Sequence, residues 1–179
     1  MPQLETLDDV IAFWKDAGFS KWFTKDEVFD ATFRESCLTL HQRAATGQLD
    51  AWQSTANGAL ALILLLDQFP RNAFRNTAQM FATDAMARDY AARALTQGFD
   101  KQVEPALRMF FYLPFEHSEN LDDQHRSVAL HEAIDFKEYA VQHRDIIQRF
   151  GRFPHRNAVL GRPSTAAELA YLEAGGFAG

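Results

Sequence analysis

Little in this chain could crosslink it, cradle a phosphate or anchor it in a bilayer. There is one cysteine, Cys37, so no intramolecular disulfide can form, and no residues have zinc-finger spacing. Glycine is sparse, with nine in 179 residues, and Gly47, Gly58 and Gly98 stand isolated, which excludes a glycine-rich phosphate loop. The longest unbroken apolar run, Ala59 to Leu66, has eight residues, whereas a membrane span needs about 18–20. The acidic stretch Met1 to Val10 lacks the basic start and apolar run of a signal peptide. No GxSxG elbow and no HExxH motif occurs, and Cys37 falls on a core stripe where burial makes a thiol inert. These absences point to a cytoplasmic protein without a membrane partner, and no metal and no cofactor is expected.

What is present is a core and an acidic surface. Apolar residues make up 47% of the chain and Phe alone supplies 16, enough to exclude intrinsic disorder. The net charge of −6 speaks against nucleic acid, which needs a basic face.

The periodicity is helical almost throughout. Thr6 caps a first helix that carries Val10, Ile11, Phe13 and Trp14 and stops at Gly18. The capping-box pattern Thr24-x-x-Glu27 opens a second, whose Phe29, Phe33, Cys37, Leu40 and Ala44 form one stripe ended by Gly47. The segment from Asn57 to Phe69 has no polar face from Ala59 to Leu66, so it is expected at the centre. Its length also fits a buried strand, but Leu and Ala favour a helix, which Pro70 should stop. Further helices are expected from Thr77 to Gly98 and from Val103 to Pro114. Another should begin at Ser118, its N-cap, with Glu119 in the first turn, and run with a break near Asp135 to Phe150 and Gly151. A last one is capped by Thr165-x-x-Glu168. The expectation is an all-α protein of about seven to nine helices in antiparallel pairs, forming one domain over residues 1–179. The sequence Gln68-Phe69-Pro70-Arg71-Asn72 is echoed by Arg152-Phe153-Pro154-His155-Arg156-Asn157; a duplicated hairpin or chance could produce this.

Three blocks carry a resemblance: LLLDQFPRN (64–72), RMFFYLPFEHSENLDDQ (108–124) and FGRFPHRNAVLGRPST (150–165). Together with the Asp50-x-Trp52 start and their order along nearly the whole chain, they resemble the bacterial domain-of-unknown-function family 924. The resemblance implies an all-helical fold similar to tetratricopeptide-repeat proteins. It implies no activity.

In each block, polar side chains crowd beside Phe, Leu and Pro. Asp67 is expected at a helix C-terminus, where the dipole disfavours an anion, so it needs a partner, and Arg71 lies one turn away. The pair is either a structural ion pair or part of a pocket that also presents Asn72. Five arginines and one acid between Arg144 and Arg162 give that stretch +4 against −10 for the rest of the chain. Guanidinium groups bind carboxylate or phosphate through paired hydrogen bonds, though the same arginines could instead bridge to acidic helices. Glu116 beside His117 is a candidate acid–base pair, while His143 sits on an apolar face and reads as a core histidine.

The functional expectation is a small anionic molecule bound where the three blocks converge. Asp67, Arg71, Asn72, Arg152, His155, Arg156 and Asn157 are the candidate ligand-binding residues, with Glu116 and His117 as secondary polar groups. A protein partner is the alternative, through a groove lined by Trp22, Phe23 and Trp52. A hydrolase using His117 with Glu116 is a third.

Overall fold

The computed structural model describes residues 3–179; residues 1–2, the start of the acidic N-terminal stretch, lie outside the described residues. Every element is a helix or helical turn, and no strand occurs among the described residues, so the chain is all-α. No helix among them is long and apolar enough to cross a membrane. The contacts divide into two compact units, Met1–Arg75 with Gln79–Pro114, and Asn76–Ala78 with Phe115–Gly179.

In the first unit, α1 (Leu7–Ala17) opens with a capping box. The Thr6 hydroxyl accepts from the Asp9 N–H while the Asp9 carboxylate accepts from the Thr6 N–H. Gly18, at φ 69°, ends it and α2 (Phe19–Trp22) follows. The next cap differs from expectation. Asp26, not Thr24, caps α3 (Glu27–Ala45), its Oδ1 accepting from the N–H groups of Val28 and Phe29 at 3.0 Å each. One carboxylate there satisfies two orphan donors and faces the positive end of the helix dipole. The α3 stripe holds, with Phe33, Cys37, Leu40 and Ala44 buried, and burial pushes the Cys37 thiol up to about 12.

The apolar run is the centre of this unit. From Ala59 to Leu66 no residue is more than 1% exposed, and α4 (Ala56–Ile63) packs against α1, a 3-10 turn at Asp50–Ser54, and α6 (Asp84–Thr96). The helix does not stop at Pro70. Residues Leu64–Gln68 form a π turn, in which the Phe69 N–H reaches back to the Leu64 carbonyl, and the chain runs on into α5 (Phe69–Ala73). The extra residue in the turn relieves the clash that a proline ring makes with a regular preceding turn. Side chains satisfy the carbonyls so displaced: Leu65 O lies 2.9 Å from His41 Nδ1, and Leu66 O accepts from Thr83 Oγ1 at 2.5 Å.

Two further expected helices are shorter than read. The stretch from Thr77 begins as a 3-10 turn (Ala78–Phe81) before α6, and the stretch from Val103 is a 3-10 segment (Pro105–Phe111) leading to α7 (Leu113–Glu116). Trp22 is buried, stacked on Trp14 at 6.1 Å with its Nε1 donating to Trp14 O at 2.7 Å. It therefore lines no groove; of the three expected aromatics Phe23 is exposed and Trp52 half-buried.

In the second unit, α8 (Leu121–Glu132) and α9 (Glu138–Phe150) pack on each other across the break expected at Asp135, where φ is 56°. The N-cap of α8 is Asn120, whose Oδ1 accepts from Asp122 and Asp123, so Ser118 and Glu119 precede the helix. Ser118 instead donates to Asp123 Oδ2 at 2.7 Å. Ile146, Ile147 and Phe153 form a core flanked by Phe150, Tyr171 and Phe177. The capping box at Thr165 and Glu168 opens α10 (Ala166–Glu173) as expected.

Gly58 tests the packing around α4. A Cβ there would lie 2.1 Å from the Trp52 backbone carbonyl, so Gly58→Ala must push the 50–54 turn away. The expected loss is about 1–3 kcal/mol in chemical denaturation, with unchanged helical content by circular dichroism.

Candidate functional site

The polar residues singled out in the first unit surround the π turn. Asp67 is 1% exposed; its Oδ1 lies 3.1 Å from Arg71 Nη1 and its Oδ2 accepts from Gln68 Nε2 at 2.6 Å. Arg71 also donates to the Asp67 carbonyl at 2.7 Å. Its other contact was not legible in the sequence: a two-point fork onto Asp84, at 2.9 and 3.0 Å. Asn72 donates to Asp30 at 2.7 Å, and Arg75 forks onto the same carboxylate at 2.5 and 3.2 Å. One guanidinium thus holds two carboxylates, and one carboxylate holds an amide and a second guanidinium.

The second unit holds the echo of that motif, with different geometry. Phe153 is extended, Pro154–Arg156 form a 3-10 turn, and no helix runs through the proline. Arg152 forks onto Glu168 at 2.6 and 2.8 Å, and this pairing holds the Glu168 carboxyl down to about 2. Arg162 forks onto Glu119 at 2.7 and 3.0 Å and donates to Asn157 Oδ1 at 3.0 Å. Burial alone would raise the Glu119 carboxyl, but the Arg162 bond, the Phe153 N–H and the charges of Arg162 and Arg156 bring it below its ordinary value. Asn157, fully buried, donates onward to Ser164.

Arg156 is placed differently. It is 7% exposed, and its guanidinium lies over the Phe153 ring at 4.3 Å. His155 and His143 meet the same ring at 5.6 and 5.5 Å, and both also contact Phe177, at 5.2 and 4.6 Å. Burial pushes His143 down to about 3. Its Nδ1 contact with the Tyr139 carbonyl, at 2.8 Å, works the other way, and the nearby charges of His117, Arg156 and His155 lower it further. His143 is the core histidine that was expected, and it reports that three basic side chains from two segments act on one place.

Glu116 is 5% exposed, and His131 and His143 face it. His131 Nε2 is 3.8 Å from Glu116 Oε2 and His143 Nδ1 is 3.5 Å from Glu116 Oε1. His131, fully buried on α8, gave no local signal; its place emerges only when α8 and the 115–118 turn come together. Burial pushes it down to about 4. Gln124, also on α8, pins that turn by donating to the carbonyls of Glu116 and Ser118 at 2.6 and 2.7 Å. No group of three or more His, Cys, Asp or Glu among the described residues is arranged to hold a metal ion.

A family model described as bacterial protein of unknown function (DUF924) matches residues 10–176. The chain belongs to this family. A solved structure of a protein of unknown function from Agrobacterium tumefaciens is similar to it. The two share 48% identity over 94% of this chain and 97% of that one, with a TM-score of 0.92. No curated protein matches the chain.

Two measurements check this geometry. Arg71→Met takes the guanidinium away from two carboxylates, one of them fully buried, and should cost on the order of 3 kcal/mol in urea unfolding. His143, neutral when folded and titrating near 6.5 when unfolded, binds fewer protons in the native state at acid pH. Its contribution is therefore present above about 6.5 and lost as pH falls toward 3. The acid side of the stability profile should flatten in His143→Phe.

Proposed function

We propose that this family member binds a small anionic molecule at the Phe153 platform of the second unit, with Arg156 as the principal contact and His155, Asn157 and His117 around it. The observation that carries the reading is the convergence on His143. Side chains from residue 117 and from residues 155–156 act on a single imidazole, and Arg156 and His155 contact the same Phe153 ring as that imidazole. A guanidinium laid on an aromatic ring has its plane fixed, and its N–H donors then point in known directions for a carboxylate or phosphate. Anion binding at Arg71 or Arg152 would have to displace Asp84 or Glu168, so these arginines, with Asp67 and Asn72, are read here as framework.

Thermal unfolding in increasing inorganic phosphate, with citrate as a second anion, tests the proposal. A ligand at a hundred times its dissociation constant stabilises by about 2.7 kcal/mol, a rise of several degrees for a chain of this size. The wild type should show a saturable rise, absent in Arg156→Met. Arg152→Met should melt lower yet keep the rise. A wild type that no anion shifts would overturn the reading.

A further inference from the structure

The outer face of α9 carries a row of side chains that the described residues leave uncompleted. Glu138, Gln142, Asp145 and Arg149 are all exposed and stand four, three and four residues apart, which at about 100° per residue holds them within a sector of about 60°. Among the described residues, Glu138 and Arg149 have no opposite charge within ion-pair distance and the Gln142 side chain makes no hydrogen bond; Glu138 acts on Lys137 only through its charge. Asp145 uses one oxygen, Oδ1, on its neighbour Arg144 at 2.7 and 3.0 Å, which leaves Oδ2 open. The Arg149 guanidinium lies over the rings of Phe150 and Tyr171, at 4.6 and 5.5 Å, so its plane is fixed while its donors face outward. The row borders a groove of about 380 Å³ walled by Val141, Ile146, Phe150 and Tyr171. Tyr139, 59% exposed, falls on the Phe150 side of the row by the same spacing.

The order of the row, acid, amide, acid, base, is complementary to itself when its direction is reversed. Laid antiparallel on an identical helix, the register that sets position 138 against 149 also sets 142 against 145 and 139 against 148. Each carboxylate then meets a donor. A parallel copy sets Glu138 on Glu138 and Arg149 on Arg149. A basic helix would meet Arg149 and an acidic one Glu138 and Asp145, so a partner of one charge sign satisfies only part of the row. We propose that α9 is the contact face of a symmetric dimer, pairing antiparallel with α9 of a second copy of this chain so that Glu138 of each copy joins Arg149 of the other. The proposal does not depend on anion binding.

A twofold axis crosses the pair at the level between Gln142 and Asp145, as an isologous contact requires. Gln142 of each copy donates to the open Oδ2 of Asp145 in the other. Tyr139 of the second copy arrives at the level of Arg149 and Phe150, beside the mouth of the groove. The contact is small, because α9 has 13 residues and is about 20 Å long. Interfaces of that size lie at or below about 1,200 Å² and are transient, so the dimer forms and dissociates with concentration, and salt weakens it.

Sedimentation equilibrium of the whole protein, from about 10 μM to about 1 mM, tests this. The wild-type mass should rise with concentration from the 20.3 kDa monomer towards twice that value. Glu138→Arg and Arg149→Glu each set like charges together at both ends of the pair, and each should raise the dissociation constant at least tenfold. An equimolar mixture of the two variants should regain the wild-type association, because both ends of the mixed pair again join opposite charges. Gln142→Glu, at a position with no side-chain bond to lose in the monomer, should weaken the dimer as well, and it serves if either charge reversal does not fold. A wild type that stays monomeric throughout overturns the proposal. So does self-association that no α9 substitution weakens, or a mixture that associates no better than its components.

Discussion

Charge compensation under burial governs this molecule. Asp67, Asp100, Glu116 and Glu168 are the buried carboxylates among the described residues, and a buried carboxylate must be paired, hydrogen-bonded or neutralised. Asp67 takes Arg71 and Gln68, Asp100 accepts from Tyr112 at 2.8 Å, and Glu168 takes the Arg152 fork. Glu116 faces two imidazoles whose Nδ1 atoms lie against helix carbonyls. Half-buried Asp84, Asp30 and Glu119 take up Arg71, Arg75 and Arg162. Most of the arginines that looked like an anion site are thereby tied into the framework.

The same constraint explains the π turn. A proline at position 70 removes one backbone donor, and the widened turn leaves the Leu65 and Leu66 carbonyls to His41 and Thr83. That solution lets one apolar column pass from α4 into α5 and sets Asp67 and Arg71 one turn apart, where they meet.

The legible parts of the fold were those written in local chemistry. The cap at Thr6, the capping box at Thr165, the α3 stripe, the fully covered run from Ala59 to Leu66 and the breaks at Asp135 and Gly151 all appear where the residues place them. The misreadings share a cause, which is competition from a residue or partner outside the pattern. Asp26 outbids Thr24 as a cap, Asn120 takes the place given to Ser118, and a π turn accommodates Pro70. Among the site residues, the i+4 pair Asp67–Arg71 was readable. Asp84 and Asp30 stand 13 and 42 residues from the side chains they bind, and no local signal announces them. The Phe-Pro-Arg-Asn echo shows the limit of motif matching, since its first copy is helical and its second lies in a 3-10 turn.

The central claim is that carboxylates hold Arg71, Arg152 and Arg162, with the proposed anion contact at Arg156. Arginine side-chain Nε resonances followed through a phosphate titration test it most directly. The account predicts a saturable shift of the Arg156 resonance with those of Arg71, Arg152 and Arg162 unmoved. A shift at any of those three with Arg156 unchanged would contradict it.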